Sequence, residues 1–354
     1  MTINNEHKKL NVPNLRFPEF QGEWISKTIG DIAPLQRGFD LPTGQICNGK
    51  IPVVYSNGIM NHHSSYKCVA PGLVTGRSGT IGKFTYIEDG YYWPHNTSLW
   101  VTDFHDNNPK FIYYLYQTIH IEQYSTGSGV PTLNRNNVHR HKTFIPKLKE
   151  QNKIAAFLSL LDERISTQSK IIDKLQSLIK GIGKQLFMDN QNWRTVKIGE
   201  LLRIGNGKDY KHLSIGKIPV YGTGGQMLLV NDYLYDGESV CIGRKGTIDT
   251  PMFLKGKFWT VDTLFYTYDF KDVLPKFCYY LFLQINWKLY NEGTGVPSLS
   301  KSTIENIKVK IPSLEQQQNI CSILDCYEHK TNNEEQILEL YHSEKQYLLR
   351  QMFI

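Results

Sequence analysis

Apolar residues recur along two stretches of the chain at alternating steps of four and three. In residues 150–187 the stripe runs through Ile154, Leu158, Leu161, Ile165, Gln168, Ile172, Leu175, Ile179, Ile182 and Leu186, with Gln168 its one polar member. Such spacing keeps one face of a helix turned toward a helical partner. Residues 315–354 repeat the pattern less cleanly through Ile320, Leu324, Tyr327, Leu338, Tyr341, Leu348 and Met352, with Thr331, Glu334 and Lys345 on the same stripe. The first stretch carries a net charge of +2 and the second −4, which suits pairing of the two helices with each other. The chain ahead of each helix reads differently. Short β-leaning runs such as 51–55 and 84–87 are bounded by Gly and Pro turns, which predicts compact, mostly β domains with some helix at 27–149 and 188–314. The aromatic runs 111–116 and 277–282 each follow a proline and are expected to fill cores rather than to stack on bases.

These two halves are one unit written twice. Trp24 with Ile29-Gly30-Asp31-Ile32 returns as Trp193 with Ile198-Gly199-Glu200-Leu201, and Lys50-Ile51-Pro52-Val53 as Lys217-Ile218-Pro219-Val220. Gly76-Arg77-Ser78-Gly79-Thr80-Ile81 returns as Gly243-Arg244-Lys245-Gly246-Thr247-Ile248, and Gly127-Ser128-Gly129-Val130-Pro131 as Gly293-Thr294-Gly295-Val296-Pro297. From Pro109 onward the offset holds at 166 without a gap, as far as Phe187 and Phe353. The expected fold class is therefore α+β: two mostly β domains in tandem pseudo-repeat, each followed by a long helix, the helices pairing as an antiparallel coiled coil.

With 354 residues, 40% hydrophobic and 21% charged, the composition is that of a folded globular chain. The formal charge of +7 is concentrated in two matched blocks, 27–149 and 193–314, each +5 (12 basic against 7 acidic, and 16 against 11). Neither a secretory leader nor a bilayer-length apolar run is visible, so a soluble, cytoplasmic protein is expected. Cys47, Cys68, Cys241, Cys278, Cys321 and Cys326 form no CxxC pair and no zinc-like grouping, and read as reduced packing residues.

A search for catalytic chemistry finds little. Residues 76–84 (GRSGTIGKF) resemble a phosphate-cradling loop, but five residues rather than four separate Gly76 from Gly82, and Phe84 follows Lys83 where a magnesium-holding hydroxyl is required. No Asn/Asp-Pro-Pro-aromatic methyltransferase motif, glycine-rich cofactor loop or magnesium-nuclease pattern occurs. His62-His63 and the pair His139 and His141 have no spaced carboxylate or cysteine partner and are expected to be loop residues or phosphate neighbours. What remains suits nucleic-acid binding. Arg77, Ser78 and Lys83 in one glycine turn, with Arg244 and Lys245 in its repeat, offer cations and backbone N–H donors for phosphates. The second turn adds Asn134, Arg135 and Asn136 in the first copy and Ser300, Lys301 and Ser302 in the second. Asn57, His62 and Gln226 lie where the copies diverge and are candidate base readers.

The opening PNLRFPEFQGEW (13–24), the Gly-Arg-x-Gly-Thr-Ile loop, the Gly-x-Gly-Val-Pro turn and the Ile-Pro-x-Leu-x-Glu-Gln lead into the long helix (145–151) together resemble type I restriction-modification specificity subunits over nearly the whole chain. The resemblance implies that each β-rich block is a target recognition domain reading one half of a bipartite site on double-stranded DNA, with the long helices as the spacer. It implies two methyltransferase (modification) subunits and motor-nuclease (restriction) subunits as partners, and no membrane. It places S-adenosylmethionine on the former, ATP and magnesium on the latter, and no cofactor, metal or catalytic residue on this chain. The second copy departs from the pattern at Gln316-Gln317, and Tyr327-Glu328 stands where the first copy has Leu161-Asp162. A recognition module of a stand-alone methyltransferase system and a protein-binding scaffold are the alternatives.

Overall fold

The computed structural model describes residues 10–127, 131–188 and 191–354. The chain divides into two compact units, Met1–Gln168 with Ile337–Ile354, and Ser169–Gln336.

In the first unit, two four-stranded sheets form the head. One has the order Leu35–Arg37, Ser98–Val101, Gly72–Gly76, Phe84–Ile87, and the other Gly58–His63, Ile51–Tyr55, Tyr91–Pro94, Cys68–Val69. Helix Pro109–Thr118 starts on a capping Asn108, whose side chain accepts from the Phe111 N–H, and buries Phe111, Tyr114 and Tyr116 in the core, as its aromatic run predicts. In the second unit the corresponding strands join into a single six-stranded sheet ordered Arg203–Asn206, Leu264–Tyr268, Tyr235–Gly243, Met252–Thr260, Ile215–Gly222, Gly225–Val230. The difference is local. Pro71, which has no N–H to give a ladder, falls between Cys68–Val69 and Gly72–Gly76, whereas Tyr235–Gly243 runs through unbroken.

The predicted long helices span Leu148–Met188 and Leu314–Met352, so the boundaries read from the sequence are one or two residues late at 150 and 315. At the other side, strand Ile25–Thr28 straddles the 26/27 boundary and pairs with Lys142–Ile145, tying the opening segment into the first head. Every member of the first stripe is buried or half-buried, Gln168 included, and the second stripe behaves likewise. Within each unit the two helices run antiparallel. Asp162 meets Lys345 at 2.6 Å in the first, and Gln176 meets Glu335 at 3.3 Å in the second.

Two junctions lock each head to its helices. Gln151, buried, accepts from the Asn108 N–H and donates to the Pro146 carbonyl; Gln317 accepts from the Leu274 N–H and donates to the Pro312 and Asp272 carbonyls. The second residue of the Glu-Gln motif, Gln151 in the first copy and Gln317 in the second, is thus a backbone staple in both. Glu150 beside it accepts from Nε and Nη2 of Arg16, both at 2.8 Å, and from the Trp24 indole N–H, a partner set that comes from residues 13–24, whereas Gln316 in the second copy turns to Ser313. The second departure is compensated too: Tyr114 donates to Asp162, while Tyr280 donates to Asp325 and Glu328, with Lys276 closing that cluster at 2.6 Å.

The other junction is aromatic. Trp24 and Phe111 of the first head enclose Phe353 at the far end of the C-terminal helix, with Phe111 and Phe353 stacked at 5.3 Å. Trp193 and Phe277 of the second head enclose Phe187 at the end of the central helix, again with 5.3 Å between stacked rings. Each head is completed by the end of the helix that follows the other head.

Candidate nucleic-acid interface

Two loops come together on each head, and a third joins them on the first. In the first, the Arg77 N–H donates to the Thr97 carbonyl and the Arg77 carbonyl accepts from Leu133, so that Ser78 and Thr132 form an isolated β-bridge. In the second, Arg244 donates to Thr263 and accepts from Leu299, and Lys245 bridges Ser298. The sequence-predicted glycine turn and the second turn are therefore stitched side by side, in the same geometry twice. Gly79 and Gly246 sit at φ of 75° and 94°, a region that favours glycine, which is why this turn is written with glycine in both copies. The Lys83 ammonium donates to the Asn57 carbonyl at 3.1 Å and brings the third loop, between Ile51–Tyr55 and Gly58–His63, against the first.

The side chains on this frame form a cleft of about 750 Å³ in the first head, lined by Arg37, Arg77, Asn134 and Arg135 with Asp40 as its acidic member. Among the described residues the guanidinium groups of Arg77 and Arg135 have no hydrogen-bond or ion-pair partner, nor do the ammonium groups of Lys245 and Lys301 in the second head. Arg244 donates to the Asp262 carbonyl at 3.4 Å and lies 6.0 Å from the centre of the Phe265 ring. Arg135 and Lys245 are exposed, and Arg77 and Lys301 are half-buried; cations without an internal partner are what a polyanion neutralises.

Other expectations need correction. The backbone N–H groups of the turns are not free: those of Arg77, Gly79, Arg244, Lys245 and Gly246 all donate to carbonyls within their own heads. Asn134 and Ser300 are helix caps, accepting from Asn136 and Thr303, and the hydroxyls of Ser300 and Thr303 converge on Glu292, whose carboxyl they hold below the usual carboxylate range. The Ser302 hydroxyl bonds Ser300. Asn136 spends its N–H on the same cap. His139 ends the helix Arg135–His139, and His141 lies in the loop before strand Lys142–Ile145, but neither ring is free: His139 accepts the Leu35 N–H at 2.8 Å and His141 pairs with the Tyr124 hydroxyl at 2.7 Å, and burial pushes both imidazoles below the usual histidine value. His63 accepts from the Cys47 N–H, leaving His62 exposed on its strand. Among the described residues no group of three or more His, Cys, Asp or Glu is placed to hold a metal. The phosphate-loop lookalike at 76–84 joins two antiparallel strands, with no helix after it to point at a phosphate. Ser128, Gly129 and Val130 of the Gly-x-Gly-Val-Pro turn lie outside the described residues; in the second copy, Asn291 Oδ1 holds the turn by accepting from Gly293 and Ser298.

Asn57 and Gln226 are exposed at the hairpin turn and on the strand after it, in the region where the copies diverge. Sequence reasoning missed Arg37, which the fold carries into the cleft from the end of strand Leu35–Arg37. Nothing in its local sequence marks it; only pairing across the sheet does.

Two β-rich heads built on one frame, each offering unpaired cations and each sealed to a pair of long helices, define a two-headed nucleic-acid-recognition architecture. The chain belongs to the type I restriction modification DNA specificity domain family, whose model matches residues 21–177 and 190–340. It is 24% identical over 274 residues to the type I restriction enzyme MjaVIII specificity subunit of Methanocaldococcus jannaschii, a match covering 61% of this chain and 63% of that one, just under two thirds of the relative's length. It is 24% identical to the putative type I restriction enzyme specificity subunit S.HindORF215P of Haemophilus influenzae, covering 81% of this chain and 82% of the other. The fold is similar to the crystal structure of a type I restriction-modification system S subunit from M. genitalium, with a TM-score of 0.65 at 18% identity, over 97% of this chain and 99% of that one. Among the described residues no helix is long and apolar enough to cross a membrane.

Proposed function

We propose that this chain is the non-catalytic DNA-specificity subunit of a type I restriction-modification system. Each head reads one half of a bipartite target, the long helices carry two methyltransferase subunits, and motor-nuclease subunits join that assembly. S-adenosylmethionine belongs on the methyltransferases, and ATP and magnesium on the motor-nuclease. The observation that carries the reading is the repeated frame itself. The same stitched turns present Arg77 and Arg135 on one head and Arg244, Lys245 and Lys301 on the other, while the loops beside them differ, as two readers of different half-sites require. Partner docking is supported by exposed residues on the helices that repeat at the 166-residue offset: Phe157 with Ile323, Leu160 with Cys326, and Ile171 with Ile337. Equivalent surfaces presented twice fit two copies of one partner.

The test is to exchange residues 27–149 for the matching block of a relative, assemble the hybrid with its methyltransferase and map methylated sites. One half-site is expected to change and the other to persist. A change in both halves would refute independent reading, and an assembly that shifts no DNA would favour a scaffold.

A further inference from the structure

The two heads share a frame at one more place. Arg37 pairs with Leu99 across the sheet, and Asn206 pairs with Phe265, the residue that repeats Leu99 at the offset of 166. Each is followed by a glycine against which a crossing chain packs. A Cβ on Gly38 would lie 2.2 Å from the His95 carbonyl, and one on Gly207 1.8 Å from that of Val261. The next residue is fixed alike in both heads: Phe39 and Lys208 donate to Pro94 and Thr260, and their carbonyls accept from the indoles of Trp93 and Trp259. Backbone placement at Arg37 and Asn206 is thus the same, and both side chains are exposed at a strand end. Only the chemistry differs, a guanidinium in one head and a carboxamide in the other.

A phosphate contact gains nothing from such a change, because every site offers the same phosphate. A base contact must change if the bases do. Arg37 is further distinguished from Arg77 and Arg135 by a carboxylate neighbour, Asp40, 3.7 Å away and itself held by the Asn96 amide. A carboxylate beside a guanidinium weakens its pull on a phosphate but restricts the sweep of a long side chain, which favours a two-pronged contact. We propose that Arg37 and Asn206 are specificity-determining residues, Arg37 reading a guanine of one half-site through its O6 and N7 and Asn206 an adenine of the other through its N6 and N7. This rests on the DNA-reading function proposed above.

The experiment assembles the wild-type chain, R37A, R37K and N206A with the methyltransferase partner and scores methylation across a plasmid library with both half-sites randomised. R37A is expected to lose roughly 5- to 150-fold of discrimination at a single G·C pair of one half-site, with the other half-site intact. R37K, which keeps the charge but not the fork, relaxes the same pair, and N206A relaxes one A·T pair of the other half-site. Full discrimination retained by R37A and R37K, or relaxation spread over both half-sites, overturns the assignment of Arg37 while a defined bipartite target for the wild-type assembly leaves the DNA-reading function standing. A wild-type assembly that methylates no defined sequence overturns both.

Discussion

Replacing Arg77 and Arg135 together by Ala removes two guanidinium groups that line one cleft and have no partner among the described residues. Because neither side chain makes a hydrogen bond or ion pair among the described residues, the fold is expected to change by no more than about 0.5 kcal/mol. Under the proposed DNA-reading function, their effect is expected in the salt dependence of DNA binding. Each phosphate contact contributes about 0.9 to the slope of log affinity against log salt, so each is worth a factor of about 3.5 between 50 and 200 mM. Two contacts give about 12-fold. The assembled double variant should bind its target more weakly at 50 mM than the wild type, and lose about 12-fold less affinity on going to 200 mM. Fluorescence anisotropy on one labelled duplex at several salt concentrations measures both quantities, with a denaturation curve as the control for folding. The preferred sequence should not change. Weaker binding with an unaltered slope would show that these residues do not meet phosphates.

Three further outcomes are expected. Gln151→Ala strips a buried staple from the Asn108 N–H and the Pro146 carbonyl and should cost about 2–4 kcal/mol in urea unfolding; a loss below about 1 kcal/mol would mean that water or relaxation replaces it. His139 and His141 are held neutral by burial, so the unfolded chain binds their protons first as pH falls. Stability of the first unit is therefore complete above about pH 6.5 and declines below it, and His139→Gln should flatten that decline in melts between pH 7.5 and 5.5. Gly181→Ala, at an exposed helical position where a Cβ meets nothing within 4 Å, should stabilise by about 0.5–1 kcal/mol, and a neutral or negative change in the unfolding midpoint would point to a role for the glycine that the helix does not reveal.

Much of the architecture was legible because periodicity and repetition are non-local signals written in linear form. The stripe from Ile154 to Leu186 specified a paired helix whatever its partner, and even Gln168, its polar member, is buried on that face. The aromatic runs were core because a Pro-started helix turns Phe111, Tyr114 and Tyr116 inward. The interface was legible only in part. Arg77 and Arg135 could be picked as cations beside turns, but whether a donor is free depends on what crosses it, and the carbonyls of Thr97, Pro131 and Thr263 that consume the turn N–H groups arrive from other turns and loops of the head. Asn134 and Ser300 look like polar contact residues and are caps, because the short helices after them need one. His139 gave no sign of accepting from Leu35, a partner 104 residues away.

The crossed aromatic closure has a consequence for how the protein comes into being. Trp24 and Phe111 are made early in synthesis, yet the ring that fits between them is Phe353. The first head therefore keeps an open apolar socket until Phe353 has been made, whereas the second head finds its own ring, Phe187, already made. A chain that stops short of residue 353 leaves that socket unfilled, and its exposed aromatic surface is of the kind that chaperones and proteases recognise.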